Sequence, residues 1–200
     1  MGDSHAAALW FGLNDALPGV NVMQATGVGC RPAIRQPPQQ DGECAQVIDY
    51  IWKQYLPSHH VDLVLLQARW YAMDIALLDE TVAWLTQRRI PVLVVGPMPM
   101  YDTYLPRLLA VSIRDRDPQL PRRHRIAAVD DLDRRMMAQA RAKWRVPYVS
   151  LVDLLCNQGA CLEYAAPDVP LLLDADHLTK AGSILTARKI AALGLLPSPR

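Results

Sequence analysis

The stretch VDLVLLQARWYAMDIALLDETVAWLTQRRIPVLVV, residues 61–95, decides the fold. Val61 to Leu66 is a short apolar run of the buried-strand type. Asp74 to Arg89 then repeats apolar residues at helical spacing (Ile75, Leu78, Val82, Leu85), and Ile90 to Val95 is apolar again before Gly96-Pro97-Met98-Pro99 breaks the run. Strand, helix and strand in this order imply a parallel pair joined by a right-handed crossover. The same alternation continues outward. Ser4 to Leu17 reads as a helix with Ala6, Leu9, Trp10 and Leu13 on one face, and Val20 to Gln24 as a short strand. Thr26 to Glu43 is a long loop rich in Gly, Pro and Gln, and Ala45 to Tyr55 is a helix. Beyond the central unit come a helix at Tyr104 to Ile113, a charged stretch from Arg114 to Arg125, and a long helix from Ile126 to Arg145. A strand at Val146 to Leu151, a short one at Leu171 to Leu173 and a helix from Thr179 to Leu193 complete the chain. The pattern predicts one α/β domain over residues 1–200, a three-layer sandwich around a parallel sheet, with ligands beyond the carboxyl ends of the strands.

With 51% hydrophobic residues, 20% charged and a net charge of +1, the chain offers neither a basic nucleic-acid surface nor an acidic disordered tail. The apolar run from Val92 to Met100 is too short to cross a bilayer. Four cysteines fall as two local pairs, Cys30 with Cys44 and Cys156 with Cys161. Disulfides would place the chain in an oxidising compartment such as the periplasm, and four buried thiols are the alternative. Zinc is disfavoured, because neither pair has C-x-x-C spacing or companion histidines, and no metal is expected.

The candidate chemistry lies near the two ends. Gly2-Asp3-Ser4-His5 opens a helix, and Asp174-Ala175-Asp176-His177 precedes the last one. Together they offer a serine nucleophile, a histidine base and an aspartate to orient it. Ser4 at a helix start could equally be an N-cap, a role open to Asp3 too, and His177 could be a plain residue outside the cap Thr179. The Asp-x-x-His spacing lets Asp174 fold back on the ring N–H, whereas Asp176 is expected to point away. In Gly27-Val28-Gly29, a glycine would let a backbone N–H approach a reacting oxygen, or the segment is a simple turn. Arg69 and Trp70 follow the Val61–Leu66 strand at its carboxyl end. There they could bind an anionic group and stack on a sugar ring, or form a surface ion pair and a core residue. Arg122, Arg123 and Arg125 are a solvated loop or a lipid-headgroup contact. Met1 runs directly into the Gly-Asp-Ser turn, with no signal peptide and no residues for the strand that normally carries such a turn. The chain is therefore expected to be a fragment of a longer polypeptide.

Gly2-Asp3-Ser4-His5-Ala6, the Thr26–Pro32 stretch, Ala68-Arg69-Trp70, Gly96-Pro97-Met98-Pro99, Cys156 with Cys161, and Asp174-Ala175-Asp176-His177-Leu178-Thr179 followed by Gly182 come in one order over nearly the whole chain. In this the chain resembles the SGNH/GDSL hydrolase superfamily, and more narrowly the SGNH domain at the C-terminus of bacterial type 3 membrane acyltransferases. The resemblance implies a flavodoxin-like α/β/α fold here lacking its first strand, and a Ser4–His177–Asp174 triad that needs no cofactor. It also implies O-acylation of a periplasmic cell-envelope glycan such as lipopolysaccharide O-antigen. The partners implied are an acyl donor, a glycan acceptor and an N-terminal membrane acyltransferase domain. The superfamily's Gly-x-Asn-Asp block is replaced by Ala68-Arg69-Trp70, which leaves the Ser4 and Gly29 amides as oxyanion donors. A free-standing carbohydrate O-acetyl esterase and a glycan-binding module with a degenerate triad are the competing functions.

Overall fold

In the computed structural model, residues 1–35 and 42–198 are described. Residues 36–41, in the middle of the predicted Thr26–Glu43 loop, lie outside them. The chain opens with α1 (Ser4–Ala16). A helix then runs through α2 (Gly42–Tyr50), a π-helical turn (Ile51–Tyr55) and α3 (Leu56–Ser58). The stretch that decides the fold forms β1 (Val64–Leu66), α4 (Asp74–Gln87) and β2 (Val92–Val95). After it come α5 (Leu105–Asp115), α6 (Leu120–Arg123), α7 (Ala128–Gln139) with a π-turn (Ala140–Trp144), β3 (Tyr148–Val149) and α8 (Leu151–Leu155). Two small antiparallel hairpins follow, β4 (Cys156–Asn157) with β5 (Ala160–Cys161) and β6 (Tyr164–Ala166) with β7 (Val169–Pro170), and α9 (Lys180–Ala191) is the last helix.

The sheet is parallel with order β1-β2-β3, pairing Val64 with Val92 and Val94 with Tyr148. Successive residues of β2 point to opposite faces, as the pleat requires. Val92 and Val94 enter a core with Trp52, Leu78, Val82, Leu85 and Met136, from α4, α7 and the first π-turn. Leu93 and Val95 enter a second core with Leu9, Leu105, Leu151 and Ile190, from α1, α5, α8 and α9. Two cores on two faces of one sheet make the α/β/α sandwich.

Beside β1, Met1 and Gly2 lie between Gln67 and the Ala25–Gly27 segment. The Gln67 amide donates to Met1 O at 3.1 Å, Gly2 N donates to Ala25 O at 3.1 Å, and Gly27 N donates to Gly2 O at 3.2 Å. A Cβ on Gly2 would stand 1.7 Å from the Gln67 carbonyl oxygen, so only glycine fits between the two flanking segments.

Several boundaries differ from expectation. Val20–Gln24 is not a strand, and the pairing with Gly2 falls just after it, at Ala25–Gly27. Leu171–Leu173 contributes a single bridge, Leu172 to Leu178, which closes the loop that carries His177. The Arg114–Arg125 stretch contains α6, and Arg122, Arg123 and Arg125 each have a partner within the fold. Arg122 donates to Gln158 O at 3.0 Å, Arg123 pairs with Asp117, and Arg125 pairs with Asp130 and donates to Gly159 O at 3.2 Å. Both cysteine pairs are disulfides and no free cysteine is found among the described residues. No described helix is long and apolar enough to cross a membrane.

Candidate active site

Which residue caps α1 determines what Ser4 can do. The cap is Asp3, whose Oδ1 accepts the His5 amide at 2.9 Å. Ser4 is therefore the first helical residue, and its hydroxyl is released from capping. Its Oγ lies 2.8 Å from His177 Nε2. Its amide belongs to the first turn, whose N–H groups have no intrahelical acceptor and where the helix dipole favours negative charge.

His177 is held by its own loop. Asp174 Oδ1 accepts the amides of Asp176 at 2.9 Å and His177 at 2.8 Å, which curls the backbone so that Oδ2 meets His177 Nδ1 at 2.8 Å. Burial opposes ionisation of Asp174, but those two amides and the imidazole outweigh it and hold the carboxyl below its ordinary range. An ionised carboxylate can only accept, so Nδ1 carries the proton and Nε2 is left to accept from the Ser4 hydroxyl. The loop is braced from outside by Tyr101 N to Ala175 O and Leu105 N to Asp174 O, both 3.0 Å. Thr179 caps α9 by accepting the Gly182 amide at 3.0 Å, as the sequence suggests.

The two halves meet because α1 crosses α9 closely. A Cβ on Gly12 would lie 2.1 Å from Ser183 O, and the Ser183 hydroxyl donates to Ala8 O at 2.6 Å while accepting the Gly12 amide at 2.8 Å. Residues 173 apart in sequence are thereby brought into hydrogen-bond reach.

A family model described as the SGNH domain fused to AT3 domains matches residues 1–192. The chain belongs to this SGNH family. That membership, in a family of SGNH domains fused to AT3 domains, supports an acyltransferase function. Among solved structures, the periplasmic domain of a lipopolysaccharide acetyltransferase from Salmonella ser. Paratyphi A has a TM-score of 0.81 at 21% identity, covering 98% of this chain and 82% of that one. A Bacteroides fragilis protein assigned as an acylhydrolase has a TM-score of 0.58 at 15% identity, covering 98% of this chain and 86% of that one. At these identities the likeness speaks for the SGNH fold. No curated protein sequence matches the chain.

The remaining expectations for the SGNH site divide. Gly29 takes a left-handed φ of +70°, which suits glycine, and is exposed in the loop after Thr26. The Arg69 side chain is 45% exposed and its Nη1 pairs with Asp176 Oδ2 at 3.1 Å. Trp70 is a correction. It is 4% exposed within the core and its indole N–H donates to Val95 O at 2.8 Å, so it has no face to offer a sugar. Asp176 is a second correction. It is buried and its Oδ1 lies 3.0 Å from His177 Nδ1, so it points toward the ring.

Sequence reasoning also passed over Arg31, which joins Asp3 Oδ2 at 3.3 Å to Asp74 Oδ1 at 3.2 Å and lies over the Tyr71 ring. Its carboxylate partners, Asp3 and Asp74, are far away in sequence. His5, Asp176 and His177 place nitrogen and oxygen atoms within 4.8 Å of one another, a span a cation would need. Both His177 nitrogens are already engaged by Ser4 and Asp174, however, so the group reads as a proton-handling network.

Proposed function

We propose that this SGNH domain transfers an acyl group to a hydroxyl of a cell-envelope glycan, such as lipopolysaccharide O-antigen, through an acyl-Ser4 intermediate. The observation that carries the proposal is the unbroken relay from Ser4 Oγ through His177 to Asp174, two contacts of 2.8 Å. As Ser4 Oγ attacks the acyl carbonyl carbon, its proton passes to His177 Nε2 and the carbonyl electron pair moves onto oxygen. The resulting oxyanion is assigned to the Ser4 and Gly29 amides. Collapse expels the donor's leaving group, which takes the proton from His177. The glycan hydroxyl then attacks the ester, its proton passes to His177, and Ser4 Oγ leaves and is reprotonated. Asp174 orients the imidazole and stabilises the imidazolium throughout. The exposed guanidinium of Arg69 is the group assigned to the acceptor. The family description supports an AT3 domain as the covalent partner, so that this domain is one part of a longer membrane-anchored chain, and the periplasmic setting of the similar Salmonella domain supports placing the glycan step on that side.

A carbohydrate O-acetyl esterase would use the same residues with water in place of the glycan. The His177 side chain is 28% exposed, so water can reach it and some hydrolysis should accompany transfer. Hydrolysis of 4-nitrophenyl acetate tests the nucleophile: Ser4→Ala is expected to lower it by about a thousandfold. Equal rates in the two proteins would remove Ser4 from the mechanism. Adding O-antigen polysaccharide and following acylated glycan then separates transferase from esterase.

A further inference from the structure

The proposed chemistry employs one of the two carboxylates that reach His177, and the other is placed with equal care. The Asp176 side chain is 6% exposed, with Oδ1 3.0 Å from His177 Nδ1 and Oδ2 3.1 Å from Arg69 Nη1 and 3.5 Å from His5 Nε2. His5, next to Ser4 on α1, is 3% exposed, and neither of its ring nitrogens has a hydrogen-bond partner. Its ring centre is 4.8 Å from that of His177, with the planes tilted by 59°. Proximity to His5 first, and then the charges of Arg69 and His177, hold the Asp176 carboxyl below its ordinary range against the cost of burial. A buried carboxylate is expensive in free energy, and the loop is already braced through Asp174 and by the Tyr101 and Leu105 amides. The arrangement therefore calls for a role that depends on charge.

We infer that Asp176 is a positioning residue for the proposed base, a second negative charge set against the Nδ1 edge of His177, with Arg69 on the rim and His5 beneath it fixing where that charge lies. The inference rests on His177 acting as the base. The titratable and charged groups around the ring are Ser4 and His5 from α1, Asp174 and Asp176 from its own loop, and Arg69 from the segment after β1. Asp174 supplies the directed hydrogen bond. Asp176 supplies charge without one, favouring the protonated ring that forms when Ser4 gives up its proton. Arg69 draws part of that charge away. Removing Asp176 and removing Arg69 must then act on the ring in opposite directions.

An NMR titration of the His177 ring in residues 1–200 tests this without relying on catalysis. Asp176→Asn should move the His177 midpoint down by about one pH unit, the size expected for one close charge partly offset by another. Arg69→Met should move it up. The acid limb of kcat/KM for 4-nitrophenyl acetate should move the same way in each variant. The Arg69 side chain is largely at the surface, so that variant decides the matter if Asp176→Asn does not fold. A midpoint unchanged in either folded variant, or moved down by Arg69→Met, overturns the inference. Should Ser4→Ala leave hydrolysis untouched while the NMR shifts appear, the catalytic assignment fails and the charge coupling stands.

Discussion

Asp3→Ala is the sharpest test of how the nucleophile is held. The Asp3 carboxylate is buried and takes three donors: the His5 amide and the Arg69 amide at 2.9 Å each, and Arg31 Nη1 at 3.3 Å. Losing the helix cap costs about 1 kcal/mol. Losing a hydrogen bond from Arg69 N–H to a charged acceptor adds about 1.5–3 kcal/mol. Arg31 keeps Asp74 as a partner at 3.2 Å, so its contribution is only partly lost. The sum is about 2.5–4 kcal/mol, and a domain of this size shifts its Tm by about 2–4 °C per kcal/mol, so a fall of about 5–16 °C is expected. Urea unfolding followed by tryptophan fluorescence measures the free energy, with an unchanged m-value confirming that stability alone has moved. Arg31→Met should cost less in the Asp3→Ala background than in the wild-type chain, because the two share one interaction. Loss of less than about 1 kcal/mol in Asp3→Ala would refute the assignment of Asp3 as cap and organiser.

The helix crossing gives a second prediction: Gly12→Ala should cost about 3 kcal/mol by overpacking against Ser183 and lower ester hydrolysis at least tenfold, both measurable on one preparation. For the disulfides, Cys30→Ser with Cys44→Ser removes a bridge of sequence separation 14 and should cost about 3 kcal/mol in thermal unfolding, with hydrolysis retained because Arg31 still holds its loop to Asp3. In acid, the depressed Asp174 carboxyl contributes stability that is complete above its unfolded value of about 4 and is lost as the pH falls through the folded value. Asp174→Asn should therefore flatten the pH dependence of unfolding below about pH 4 while lowering activity at neutral pH.

Much of the architecture was legible because its signals are local. The apolar periods of residues 61–95 and the Asp-x-x-His spacing are written within single elements, and α4, β2 and the Asp174–His177 hydrogen bond follow from them. What was not legible depends on partners distant in sequence. Val20–Gln24 has strand composition, but the pairing with Gly2 falls on Ala25 and Gly27 instead. Trp70 follows an exposed arginine, and only the carbonyl of Val95 on the next strand explains why it is buried. Asp176 adjoins His177 and would point away on extended backbone. The curl around Asp174 Oδ1 turns both carboxylates to the same nitrogen.

The crossing of α1 and α9 also sets when the site can form. Ser4 and His177 stand 173 positions apart, so their meeting closes a loop that contains most of the domain. Loops of that span carry the highest closure entropy and form slowly. During synthesis α1 leaves the ribosome long before α9 exists, with Leu9 and Leu13 still uncovered. On refolding, helical signal should return first and esterase activity last, which makes activity a reporter of chain closure.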